Sequence, residues 1–207
     1  MRWLIGLGIV AALLVGGDSW VRSYAESTVA GRIERDLAGP GDVEVELGGF
    51  PFVVGLLTGD VPNATVTAQD VRRGGLRLDR LTIEARGLEV SIAAVDRRTG
   101  VATVEEGSGT AVVSLDVLAR FIARRGDLER VRIEQEVISA RVPALGRRVR
   151  APLRLEGGRI VIGTPAIEDI IVPLPAAFSG IRYETIEISE TSARLTFRMR
   201  NVALRSF

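Results

Sequence analysis

LRLDRLTIEARGLEVSI, residues 76–92, alternates apolar and polar side chains without holding one phase. Leu76 and Leu78 share one phase, Leu81, Ile83 and Ala85 take the other, and Leu88, Val90 and Ile92 return to the first. Alternation with period two marks a strand with one dry and one wet face. Two phase changes within one such strand predict β-bulges, one of them at Gly87, and bulges bend and twist the strand that carries them. The stretch therefore predicts a strongly bent antiparallel sheet and not a flat one.

The slipping alternation recurs on both sides. Ala193, Leu195, Phe197 and Met199 share a phase that Val202 and Leu204 leave. Val131 and Ile133 give way to Ile138, Ala140 and Val142. Val149, Ala151, Leu153 and Leu155 give way to Ile160 and Ile162. Upstream, Val43, Val45 and Leu47 alternate as a further strand.

Helical patterns separate these strands. Val21, Ala25, Val29, Ile33 and Leu37 recur at every fourth position, opposite a charged face, until Gly39-Pro40 stops the run. Pro51 suits the first turn of a short apolar helix that carries Phe50, Phe52, Leu56 and Leu57. Ser114 as N-cap, Asp116 in the first turn and Gly126 at the end bracket another helix, with the apolar stripe Val117, Leu118, Phe121 and Ile122. The pieces predict an α+β fold: a strongly curved antiparallel β-sheet rolled around helices, preceded by an N-terminal membrane-associated helix.

That N-terminal helix rests on an uncharged run from Trp3 to Gly17 behind Arg2. Its body is Leu4, Ile5, Leu7, Ile9, Val10, Leu13, Leu14 and Val15. The run is long for a signal segment and short for the about 17–25 residues of a full span. The organisation expected is a membrane anchor or signal over residues 1–18 and one domain over residues 19–207. An uncleaved anchor leads, since Val15-x-Gly17 is a poor cleavage site. In either case Arg2 stays in the cytoplasm and the domain is extracytoplasmic. It is tethered to the cell membrane, or released into the periplasm if the segment is cleaved. Trp20, Val21 and Tyr24 stand where interfacial residues belong.

Composition excludes whole classes of chemistry. The 207 residues are 46% hydrophobic, which supports a sizeable core. No cysteine and no histidine occurs, so disulfides, thiolate nucleophiles, histidine bases and histidine-ligated metals are all unavailable. No metal or other cofactor is expected. All 27 basic residues are arginine and 26 acidic residues balance them. That balance removes the electrostatic driver of nucleic-acid binding. Glu105-Glu106 and Glu168-Asp169 are adjacent on strands, so each pair points to opposite faces and makes no acid–base couple. Gly107-Ser108-Gly109 lacks both the spacing of a nucleophile elbow and a histidine partner. The chain does not read as an enzyme.

Several segments carry a family resemblance. Gly48-Gly49-Phe50-Pro51-Phe52, then Leu56-Leu57-x-Gly59, then Gly74-Gly75-Leu76-x-Leu78-Asp79 resemble the actinobacterial envelope proteins related to the mycobacterial lipomannan elongation factor. That family is described as a phospholipid-binding domain. The resemblance takes in the N-terminal segment, the amphipathic helix and the order of strands, so it spans nearly the whole chain. It implies a tubular-lipid-binding type of roll outside the plasma membrane, in contact with phospholipid or polyprenyl-linked glycolipid. It implies no catalytic residue and no particular part in lipomannan synthesis.

The residues lead to the same expectation. A bent sheet with an apolar concave face can enclose acyl chains, at about 0.8 kcal/mol per buried CH₂. Phe50, Phe52, Leu56 and Leu57 are candidates for the gate or floor of such a cavity, or for a plug at the end of the roll. Val117, Leu118, Phe121 and Ile122 line it, or pack helix on sheet. Arg72-Arg73, Arg97-Arg98, Arg124-Arg125 and Arg147-Arg148 read as solvated turns, with anionic headgroups as the sharper alternative. The function expected is lipid binding or transfer in the bacterial cell envelope, in support of lipoglycan or envelope biogenesis. The alternative is a non-enzymatic scaffold that recruits a membrane glycosyltransferase.

Overall fold

The computed structural model describes residues 18–31, 34, 42–49, 58–90, 101–164, 167–174 and 180–205. A helix, α1, covers residues 18–31. Four strands follow: β1 (Val43–Leu47), β2 (Asp60–Arg73), β3 (Leu76–Val90) and β4 (Val101–Ser114). The helix α2 (Leu115–Arg125) leads to β5 (Glu129–Glu134), β6 (Val137–Val142), β7 (Arg147–Glu156), β8 (Arg159–Thr164) and β9 (Ile167–Pro173). The chain closes with β10 (Ile181–Ile188) and β11 (Ser192–Arg205). All strand pairs are antiparallel.

The expectation of a single sheet rolled around helices needs correction. The strands form two sheets, ordered β1-β2-β3-β4-β11-β10 and β5-β6-β7-β8-β9, and neither closes into a barrel. The reason lies in α2. It leaves β4, carries the chain out of the first sheet, and packs against β3, β4 and β11 on one side and β5 and β9 on the other. Leu118, Phe121 and Ile122 are each at most 2% exposed. A helix buried on that scale needs apolar cover from two directions, and a sheet on each side supplies it.

Ser114 does precede α2, but it makes no capping hydrogen bond through its side chain. The Leu115 N–H donates instead to the Thr191 carbonyl at 3.0 Å, so the approach to β11 satisfies the first free donor of the helix. Gly126 ends the helix as expected, its N–H on the Ile122 carbonyl at 2.8 Å. Arg124 and Arg125 reach from the last turn to the carbonyls of Gly75 and Gly74, at 3.3 and 3.4 Å, and tie α2 to the β2–β3 turn.

The phase slips read from residues 76–92 are real, but their mechanism differs from an inserted residue. Pairing between β2 and β3 resumes without a register shift beyond both slips. At the Gly87 level four neighbouring strands slip together. The buried face passes from Val61 to Ala64, from Ala85 to Leu88, from Val104 to Gly107 and from Met199 to Val202. Gly87 (φ 59°) and Asn201 (φ 48°) turn left-handed there, and the sheet creases along a line. Gly87 is required: a Cβ at this position would stand 2.9 Å from Cβ of Glu105. A second crease crosses β2 and β3 at Asp70 (φ 58°), where the Arg77 guanidinium holds the Asp70 carboxylate across the strands. A true register shift occurs in β10, between Tyr183 and Thr185.

Among the described residues no helix is long and apolar enough to cross a membrane. Leu4, Ile5, Leu7, Ile9, Val10, Leu13, Leu14 and Val15 lie outside the described residues.

Candidate functional site

The inner face of the first sheet is built from cross-strand rows that the register aligns. One row runs Val43, Ala68, Leu81, Ala111, Leu195, Ile186. The next runs Val45, Val66, Ile83, Gly109, Phe197, Tyr183, and the third Leu47, Ala64, Ala85, Gly107, Met199, Ile181. All six strands contribute to each row, and the tyrosine hydroxyl is the single polar group in the three. This continuity follows from the alternation of each strand once the register is set.

The rows are covered unevenly. At one end α2 and the second sheet bury Ala68, Ala111, Val113, Ala193 and Leu195 into the main core. At the other end Val21, Ala25, Val29 and Ala30 of α1 pack, half-buried, on Val45, Leu47, Val61, Ala64, Ala85 and Val104. Between them Val66, Leu81, Ile83, Tyr183 and Ile181 are half-buried, whereas Phe197 and Met199 in the same rows are buried. Two charged side chains clasp α1 to the sheet edge. Glu26 accepts the Leu47 N–H at 2.9 Å, and Arg22 donates to the Gly49 carbonyl at 2.6 Å. The Glu26 bond occupies a donor of the edge strand β1, which would otherwise be open to pairing.

The centre of the face is shaped by glycine. A Cβ on Gly109 would fall 2.2 Å from Phe197 Cζ and 2.8 Å from the Thr82 carbonyl oxygen. A Cβ on Gly107 would fall 2.7 Å from Met199 Cε. Both glycines let large side chains from β11 lie across β4. Phe197 then meets Tyr183 edge-on, with ring centroids 5.9 Å apart. Burial raises the Tyr183 phenol above the ordinary tyrosine range, because the phenolate would lose water. Gly-x-Gly on a strand puts both glycines on one face, a signal legible in the sequence that a search for a nucleophile elbow overlooks.

Of the residues singled out from the sequence, Leu118, Phe121 and Ile122 sit in the main core and Val117 is half-buried against it. Phe50, Phe52, Leu56 and Leu57 lie outside the described residues. In sequence they belong to the segment joining β1 to β2. Trp20 and Tyr24 stack on the outer side of α1, with centroids 6.1 Å apart, and are 72% and 66% exposed.

The described residues form a two-sheet antiparallel α+β domain with one apolar face half-covered by a helix, a surface suited to apolar ligands. The match to known families agrees. The chain belongs to the LmeA-like phospholipid-binding family, whose pattern it fits over residues 16–205. That family is described by phospholipid binding and not by a reaction. No curated protein and no solved structure matches the chain.

Proposed function

We propose that this protein is an extracytoplasmic, membrane-tethered carrier that binds a phospholipid and passes it on within a bacterial cell envelope, without catalysing a reaction. The observation that carries the reading is the set of three apolar rows across the first sheet, with Val66, Leu81 and Ile83 half-buried, in a chain of a phospholipid-binding family. Acyl chains lie along the rows, on Val66, Leu81 and Ile83, beneath α1. Covering a sixteen-carbon chain supplies on the order of 10 kcal/mol before ordering costs, so few polar contacts are needed. The residues before α1 hold the domain at the membrane, and the exposed Trp20–Tyr24 stack lies at the interface, where amphipathic aromatic rings settle. A polyprenyl-linked glycolipid fits the same face, and an envelope glycosyltransferase is the partner such a carrier would serve.

The filled core around α2 favours the scaffold alternative for that half of the molecule. The two readings separate on one experiment. Full-length protein is purified from its host in mild detergent, extracted, and the lipid content measured by mass spectrometry; stripped protein is then offered labelled phospholipid. The carrier reading expects about one lipid per chain and saturable uptake. Recovery of empty protein together with no uptake sinks it and leaves the scaffold.

A further inference from the structure

The second sheet has an outer face unlike any other in the molecule. A groove of about 610 Å³ opens there across β5, β6 and β7. Arg132, Ser139 and Arg150 stand in one cross-strand row, and in the neighbouring rows Arg141 stands directly opposite Arg148. Like charges placed opposite one another destabilise a sheet. One such pair in the first sheet is relieved: Arg77, opposite Arg72, is held by Asp70. Among the described residues Arg132, Arg141, Arg148 and Arg150 have no carboxylate within ion-pairing distance. Glu134 is the only carboxylate lining the groove. Glu129 pairs in register with Arg141 but forms no ion pair with it. Two aliphatic side chains of this sheet and its turns are exposed. Leu145 is 48% exposed in the turn before β7, and Ile171 is 50% exposed at the end of the row Arg154, Val161, Ile171.

We propose that this face is where the domain docks on an anionic bilayer, its arginines against lipid phosphates and Leu145 and Ile171 against the headgroup boundary. The inference rests on the reading of the chain as a membrane-borne carrier and adds the orientation in which it meets the lipid surface. The charge is complementary: guanidinium forks match phosphate oxygens, and each arginine near an anionic surface strengthens binding about fivefold, the equivalent of about 1 kcal/mol. An external anion also relieves the Arg141–Arg148 opposition, which Glu129 meets only from the β5 side and without an ion pair.

The chain has no cysteine, so one introduced thiol reports one position. Ser139→Cys in the full-length chain is labelled with a fluorophore and reconstituted in phosphatidylcholine vesicles, with or without about a third phosphatidylglycerol, carrying headgroup quenchers. Thr185→Cys on the outer face of the first sheet is the control. The inference expects the Ser139→Cys label to be quenched only with the anionic lipid, and to be released in high salt. Arg132→Gln with Arg150→Gln should lower the docked-to-free ratio about 25-fold, and the control label should not respond. Equal quenching in both lipids, or quenching that survives the double substitution, overturns it. So does complete reversal of the anionic-lipid quenching by soluble glycerol 3-phosphate at constant ionic strength, which would make the face a single-headgroup pocket. Lipid uptake by the same variants is measured in parallel. Uptake without docking removes this inference alone, whereas docking without uptake removes the carrier reading and leaves the surface standing.

Discussion

The two sheets solve the same problem of a half-buried antiparallel surface in opposite ways. In the first, the outer face mixes signs. Arg198 meets Glu184 at 3.1 Å and Arg200 meets Glu106 at 3.6 Å, while Thr82, Thr110 and Thr196 fill a cross-strand row. Its inner face is thinned by glycine and creased, and is only half-buried at Val66, Leu81 and Ile83. In the second sheet the inner face is sealed on α2 by Ile138, Ala140, Ala151, Ile160 and Val172, each at most 3% exposed. Its outer face gathers arginine. Half-covered apolar surface and unbalanced charge are both unfavourable for the isolated domain. Each sheet carries one of these features on the face where a lipid or a membrane would relieve it.

The most damaging test of this contrast strikes the seam. Phe121→Ala empties a site 2% exposed between the sheets and should cost about 3–5 kcal/mol, read by urea unfolding of the full chain in detergent. A loss below about 1 kcal/mol would mean that α2 does not hold the two sheets together.

Gly109→Ala should cost about 1–3 kcal/mol, because the new methyl meets the Phe197 ring and the Thr82 carbonyl. It should also slow lipid uptake, since Phe197 must rise from the strand into the open centre. Uptake unchanged at reduced stability would place the lipid elsewhere than over β4.

Tyr183 gives a pH signature of the half-buried centre. Its folded-state pKa is raised by burial, so the neutral phenol is favoured in the fold. The unfolded chain ionises first, near pH 10, so the contribution to stability is present below that value and is lost as pH rises through the folded value. In a Tyr24→Phe background, absorbance at 295 nm should show Tyr183 titrating above pH 10, and Tyr183→Phe should flatten the stability decline there. A midpoint at or below 10 would show the centre to be wet.

The smallest effect is the most discriminating. Arg148→Thr removes the opposition with Arg141 and should leave stability unchanged or raise it by up to about 0.5 kcal/mol. The equivalent change at Arg198, which has an acidic partner, should lower it by a comparable amount. The reverse order would mean that Arg148 has a structural partner and that its face is not held in reserve for an anion.

Alternation along each strand, the position of α2 and the level of the Gly87 crease are all written in local sequence, because period-two and period-3.6 burial depends only on which face a residue turns inward. So is the exclusion of histidine and cysteine chemistry, which is a matter of composition. The partition into two sheets is not. It depends on where β10 and β11 return: β11 pairs with β4 across a separation in sequence that includes all of the second sheet. The apolar rows and the arginine face are legible only through register. Gly109 lies beneath Phe197, and Arg141 opposite Arg148, because hydrogen bonds between strands align residues distant in the chain. The sequence by itself determined which side chains each strand turns inward; tertiary structure alone decided which of them share a surface, because strand pairing is a long-range choice that no local periodicity encodes.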